Sequence, residues 1–163
     1  MYKLLIVDDE EIEREGMAHF IPWEEQGIQL VGTAWNGVQG LEMMERLRPD
    51  IVLVDVKMPV MSGLEMIRQA RQTFPDVVYV ILSGYGEYEF TSQAMEEGVR
   101  HYLLKPCDEK RIREVLDKVK AELSERQAQA SKDRDARVLL PHAREQIFCD
   151  LVLDRAQVGS TAT

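Results

Sequence analysis

Short apolar runs alternate with helical patterns along residues 1–123. The first run, Lys3-Leu4-Leu5-Ile6-Val7, leads into the acidic turn Asp8-Asp9-Glu10-Glu11. Ile12, Gly16, Met17, Phe20 and Ile21 then recur at helical spacing, and Pro22 stops that helix. Ile28 to Ala34 is β-rich and half alternating, which predicts a second strand. Asn36-Gly37 reads as a turn, and Val38, Leu41, Met44 and Leu47 mark the apolar face of a helix stopped by Pro49. Ile51-Val52-Leu53-Val54-Asp55 sets four aliphatic residues before a carboxylate, the pattern of a strand buried on both faces. Gly63 is expected to let the loop turn before a helix marked by Leu64, Ile67, Ala70 and Phe74. Val77 to Leu82 is another buried strand, ending in Ser83-Gly84, and a less apolar helix from about 87 to 97 ends at Gly98. His101 to Leu104 is a short strand ending in Lys105-Pro106. The last helix starts near Asp108 and carries Ile112, Val115, Leu116, Val119 and Leu123 on one face.

Strands that alternate with helices need crossover connections, so they pair in parallel with helices on both faces. The fold expected is therefore α/β, a doubly wound five-stranded parallel sheet of order 2-1-3-4-5, flavodoxin-like, over residues 1–123. Residues 124–163 are expected to be a C-terminal helical extension, a linker and the start of an inter-domain region. Ser124 to Arg137 has no large apolar residue and either extends the last helix or is a linker. Pro141 fits the first turn of a further helix, with Leu140, Ile147, Phe148, Leu151 and Val152 on one face. So short an amphipathic helix must bury that face against something. The tail from Gln157 to Thr163 reads as disordered.

Composition narrows the classes. The net charge of -9 argues against non-specific nucleic-acid binding, which needs a basic face, and suits a site that holds a cation. Cys107 and Cys149 lack metal-ligand spacing and form no disulfide framework, so a reducing compartment is expected. His19, His101 and His142 also lack ligand spacing. No apolar stretch approaches the ~18 residues of a membrane span, and a strand-like run follows Met1 directly. The expected location is the cytoplasm, with no membrane partner.

The strand ends carry the chemistry. Asp8-Asp9, Asp55, Ser83 and Lys105 close successive strands, and in a parallel sheet these ends share one edge. Three carboxylates placed together raise one another's pKa unless a cation compensates. Mg2+ takes oxygen ligands and keeps several waters, so one or two direct carboxylates suffice. Asp9 and Asp55 are the expected direct ligands, Asp8 acts through water, and the Lys57 backbone carbonyl supplies a further oxygen. Such a site suits phosphoryl transfer to a carboxylate nucleophile. Lys105, the Ser83 hydroxyl and the Gly84 backbone N–H would then meet the phosphoryl group.

The set Asp8-Asp9, Asp55, Lys57-Met58-Pro59 with Gly63, Ser83-Gly84, Tyr102 and Lys105-Pro106 resembles the receiver domain of bacterial two-component response regulators. The resemblance covers about residues 1–123. It implies that Asp55 accepts phosphate from a sensor histidine kinase, that Ser83 and Tyr102 form a switch pair, and that the Lys105–Pro106 peptide is cis. It also implies a phosphoacceptor that catalyses only its own phosphorylation and dephosphorylation. The stretches around Pro22-Trp23-Glu24, Leu82 to Tyr85 and Tyr102 to Pro106 resemble the YesN-like subgroup, whose output module is an AraC-type DNA-binding domain. DNA binding would then belong to an output domain absent from this chain. Homodimerisation through the 87–123 face or the 138–155 helix is a further expectation, as is a slowing of phosphoaspartate hydrolysis by Lys57 and Tyr85.

Three rival readings compete. A haloacid dehalogenase-like phosphohydrolase needs an acid two residues beyond its nucleophile, and Lys57 stands there. An FMN binder needs phosphate donors after strand 1, where Asp8 to Glu11 would repel a phosphate. A degenerate receiver that signals by protein contact alone would lack an acid, and none is missing.

Overall fold

The central strand β3 (Ile51–Asp55) is buried along its whole length, as its unbroken aliphatic pattern requires. The computed structural model describes the backbone of residues 1–84 and 86–143, and side chains as far as Ser131 except those of Tyr85 and Tyr88. β1 (Tyr2–Val7) and β4 (Val78–Ser83) flank β3, with β2 (Ile28–Ala34) and β5 (His101–Leu104) at the edges. All pairings are parallel and the order is β2-β1-β3-β4-β5, which is the doubly wound flavodoxin-like arrangement. The helices are α1 (Glu11–Phe20), α2 (Gly37–Leu47), α3 (Gly63–Thr73), α4 (Tyr88–Glu96) and α5 (Glu109–Ala143). The chain divides into two units, Met1–Lys120 and Ala121–Thr163.

Side chains alternate across each strand. Leu5, Val7, Val52, Val54 and Ile81 join Met44, Met66 and Ile67 in one cluster, while the alternating Leu4, Ile6, Leu53 and Val80 are equally buried. A sheet covered on both faces requires both sets to be apolar. Ile112, Leu116 and Val119 of α5 are buried as their spacing predicts. Arg68 Nε lies 2.7 Å from the Glu97 carboxylate, and Arg71 donates to the Glu97 carbonyl, so α3 is tied to the end of α4. Gly98 follows with φ +97, the left-handed conformation that ends many helices.

Several local expectations change. Asn36-Gly37 is a helix start: the Asn36 side chain accepts from Gln39 N at 2.8 Å and caps α2. Ile12 and Phe20 are 88% and 84% exposed, because the inward position on α1 belongs to Arg14. Val38 is also largely exposed. A 3-10 turn over Trp23–Gln26 follows Pro22, and Trp23 Nε1 donates to the Met17 carbonyl. Beyond Ser124 the helical alternative holds, and α5 runs to Ala143. Pro141 therefore lies near the described end of α5, since the Glu, Arg, Gln, Ala and Lys residues before it are good helix formers. The expected apolar face at Ile147 to Val152, Cys149 and the tail lie outside the described residues.

Candidate functional site

Backbone pairing brings the strand ends together. Asp8 N donates to the Ala34 carbonyl at 3.0 Å, Val56 N to Leu82 at 3.0 Å and Lys105 N to Ser83 at 2.7 Å. The chain therefore leaves β1, β3 and β5 in fixed directions, and the Lys105–Pro106 peptide is cis. Gly63 makes a close approach rather than a left-handed turn. Its N–H donates to Val56 O at 3.0 Å, and a Cβ there would lie 2.2 Å from the Asp55 carbonyl oxygen. Only a residue without a side chain lets α3 start against the end of β3.

Lys105 Nζ is the centre of the charge cluster. It lies 2.9 Å from Asp55 Oδ2, 3.1 Å from Asp8 Oδ2, and 3.2 Å from both Glu10 Oε1 and Glu13 Oε1. Asp8 is fully buried and Asp55 nearly so. Burial pushes the Asp55 carboxyl up to about 7, against the pull of the Lys105 hydrogen bond and charge. Burial alone would lower the Lys105 ammonium, but its bond to Asp55 and the charges of Asp55 and Asp8 raise it well above its ordinary value. Burial raises Glu13, while a hydrogen bond from Glu13 and the contact with Lys105 lower Glu10.

Asp8, Asp9 and Asp55 each present an oxygen, all within 4.8 Å of one another. Asp8 Oδ2 is buried with no hydrogen-bond donor despite its charge contact with Lys105. A buried carboxylate oxygen that shares one ammonium with three other carboxylates, and lies beside Asp9 and Asp55, suits a hard cation. These residues can hold a metal ion.

A cleft of about 940 Å³ opens over this group. Its lining includes Asp9, Asp55, Lys57, Gly84 and Lys105 together with apolar residues such as Met17, Met58 and Ile112. Residues 4–117 match the model of the response regulator receiver domain. The chain belongs to the response regulator receiver family. It is 44% identical over 144 residues to the transcriptional regulatory protein YesN of Bacillus subtilis, a match spanning 88% of this chain and 39% of that protein. The transcriptional regulatory protein HptR of Staphylococcus aureus is 33% identical over 129 residues, covering 79% of this chain and 50% of that one. The chain thus spans about two fifths to half the length of these curated relatives. Among solved structures, the REC domain of AraT, a response regulator from Geobacillus stearothermophilus, is 40% identical with a TM-score of 0.73. That likeness covers 77% of this chain and 98% of the other. The two-component transcriptional regulator AraC from Clostridium phytofermentans is 28% identical, also with a TM-score of 0.73, over 78% of this chain and 99% of that one.

In this receiver domain the expected residues do not all stand alike. Asp8, Asp9, Asp55 and Lys105 meet in one place. Ser83 is buried at the end of β4. Lys57 lines the cleft and its N–H is 3.3 Å from Asp55 Oδ1. Tyr102 is 45% exposed on the edge strand. Tyr85 lies outside the described residues. The Gly84 N–H, expected to face a phosphoryl oxygen, instead donates to Glu87 Oε1 at 2.7 Å. Cys107 also lines the cleft, with its thiol pushed up by burial.

Two contributors escape the strand-end pattern. Arg14 is buried and donates from Nη1 to the Asp8 carbonyl at 2.9 Å, while Asp8 Oδ1 accepts from Glu10 N at 2.9 Å. These bonds hold the acidic turn in shape. Its signal was present: Arg14 is the lone cation among the acids from Asp8 to Glu15. Glu13 faces Lys105 from the next turn of α1, a contact that only tertiary packing reveals.

Proposed function

We propose that Asp55 accepts a phosphoryl group from the phosphohistidine of a sensor histidine kinase, with Mg2+ held by Asp8, Asp9, Asp55 and the Lys57 carbonyl. The observation that carries this reading is Lys105 Nζ at 2.9 Å from the buried Asp55, inside a three-carboxylate group. An Asp55 oxygen attacks phosphorus, the P–N bond to the donor imidazole breaks, and that nitrogen takes the electron pair. The deprotonated carboxylate is the attacking form. Lys105 orients it and then faces the phosphoryl oxygens, while the Ser83 hydroxyl and the Gly84 N–H meet the others. Bound Mg2+ supplies further neutralisation of the phosphoryl charge.

On this reading the chain is a switch and not a turnover enzyme. Ser83 draws toward the phosphoryl group and Tyr102 turns inward from its exposed position, changing the contacts of the 87–123 face. The full regulator works in the cytoplasm, dimerises through that face or the 138–155 segment, and reaches DNA through an output domain outside this chain. The length of its transcriptional relatives supports that reading. Residues 1–123 act as the phosphoacceptor module and 124–163 as linker and inter-domain start. Among the described residues no helix is long and apolar enough to cross a membrane.

Incubation with acetyl phosphate and Mg2+, followed by intact mass, tests the assignment. Wild type is expected to gain one phosphoryl group, and Asp55→Asn none. An equal adduct on Asp55→Asn would move the acceptor elsewhere.

A further inference from the structure

Gly84 has both of its backbone groups held by one residue. Its N–H donates to Glu87 Oε1 at 2.7 Å, and its carbonyl accepts from Glu87 N at 3.3 Å. Gly86 completes the turn with φ +84, a conformation that side chains rarely adopt. Glu87 is also the N-cap residue of α4, yet its side chain makes no capping bond to that helix. It folds back over the turn. The helix behind it leans on the Glu87 carbonyl, which accepts from Thr91 N at 3.1 Å and Thr91 Oγ1 at 3.2 Å.

A carboxylate accepting a backbone N–H offers the same charge-assisted geometry as a phosphoryl oxygen. Glu87 lines the same cleft as Asp55 and Lys105. We propose that Glu87 is an internal competitor for the phosphoryl site, occupying the Gly84 N–H until a phosphoryl group displaces it. The proposal rests on the phosphoacceptor reading of Asp55. One N–H cannot serve two anions at full strength, and two anions on one donor repel each other. Arrival of the phosphoryl group therefore drives Glu87 off. The residue expelled is the one from which α4 begins, so occupancy of the site and the start of α4 are mechanically joined.

The test uses the full chain with beryllofluoride and Mg2+ as the phosphoryl probe. Glu87→Ala is expected to bind it about three- to tenfold more tightly than wild type, because one charge-assisted hydrogen bond no longer has to break. Glu87→Gln keeps an acceptor without the charge and is expected to fall between the two. Glu89→Ala, an exposed acid in the same first turn of α4, is the control for net charge and should match wild type. Equal affinity in wild type and Glu87→Ala, or equal tightening by Glu89→Ala, overturns the proposal and leaves the phosphoacceptor reading intact. A second readout needs no phosphoryl probe. The Gly84 amide proton of the free protein should resonate downfield and move upfield in Glu87→Ala; an unchanged position means the bond is not made and also overturns the proposal. If wild type and all variants fail to bind beryllofluoride while the Gly84 amide shifts as expected, the phosphoacceptor reading fails and the competitor role falls with it.

Discussion

Asp55 is held at a cost that can be measured. Its carboxyl is raised to about 7 by burial, whereas an unfolded chain releases the proton near pH ~4. Below that lower value both states are protonated and the shift contributes nothing. Between the two values the folded state binds more protons, so stability falls as pH rises, and the loss is complete above about 7. Asp55→Asn removes the buried charge while Asp8, Glu10 and Glu13 still surround Lys105. In magnesium-free buffer at pH 8 the variant is expected to gain about 1–2 kcal/mol, with solvent screening limiting the effect. At pH 4 the gain should vanish, and denaturant titration at the two pH values checks both. Gly63 predicts the opposite sign. A methyl group at Gly63 would sit 2.2 Å from the Asp55 carbonyl oxygen, and backbone cannot move aside as a flexible side chain can. Gly63→Ala should lose about 3 kcal/mol in urea unfolding and reduce phosphorylation of Asp55 in the folded fraction. The meeting of Asp8, Asp9, Asp55 and Lys105 was legible from their strand-end positions. The reason for Gly63 was not, because the atom it avoids belongs to a residue eight positions earlier.

Helix starts here are built from side chains that read as loop signals. Ser62 accepts from Glu65 N at 3.2 Å, and Glu65 Oε1 accepts from Ser62 N at 3.3 Å, forming a capping box at the start of α3. Ser62→Ala should cost about 1 kcal/mol, read as a lower melting temperature, while Ser62→Asp should retain most of it. α1 shows where periodicity misleads. Ile12 and Phe20 lie at helical spacing with Met17, yet both face solvent, and the buried position is Arg14. An amphipathic count weighs side chains by hydropathy and cannot foresee an arginine drawn inward by a backbone carbonyl. α4 shows the converse, since its N-cap residue Glu87 spends its side chain on the preceding turn and not on the helix.

At the scale of the whole molecule, every strand of the sheet comes from residues before Lys105, and the receiver match ends at residue 117. A chain ending at residue 123 should therefore melt cooperatively and take up phosphate from acetyl phosphate as the full chain does. Loss of the cooperative transition would show that residues 124–163 are needed to complete the domain. Residue order alone specified the alternation of strands and helices, because apolar runs and 3.6-residue stripes are local properties. It also specified which polar residues close each strand, and the rule that parallel strands point one way placed those residues on a common edge. Distances needed the folded chain. That Lys105 reaches four carboxylates, that Arg14 braces the acidic turn and that Glu87 holds Gly84 depend on side-chain packing across elements. Period and pattern carry the direction of a chain; the contacts that tune Asp55 arise only where separate segments meet.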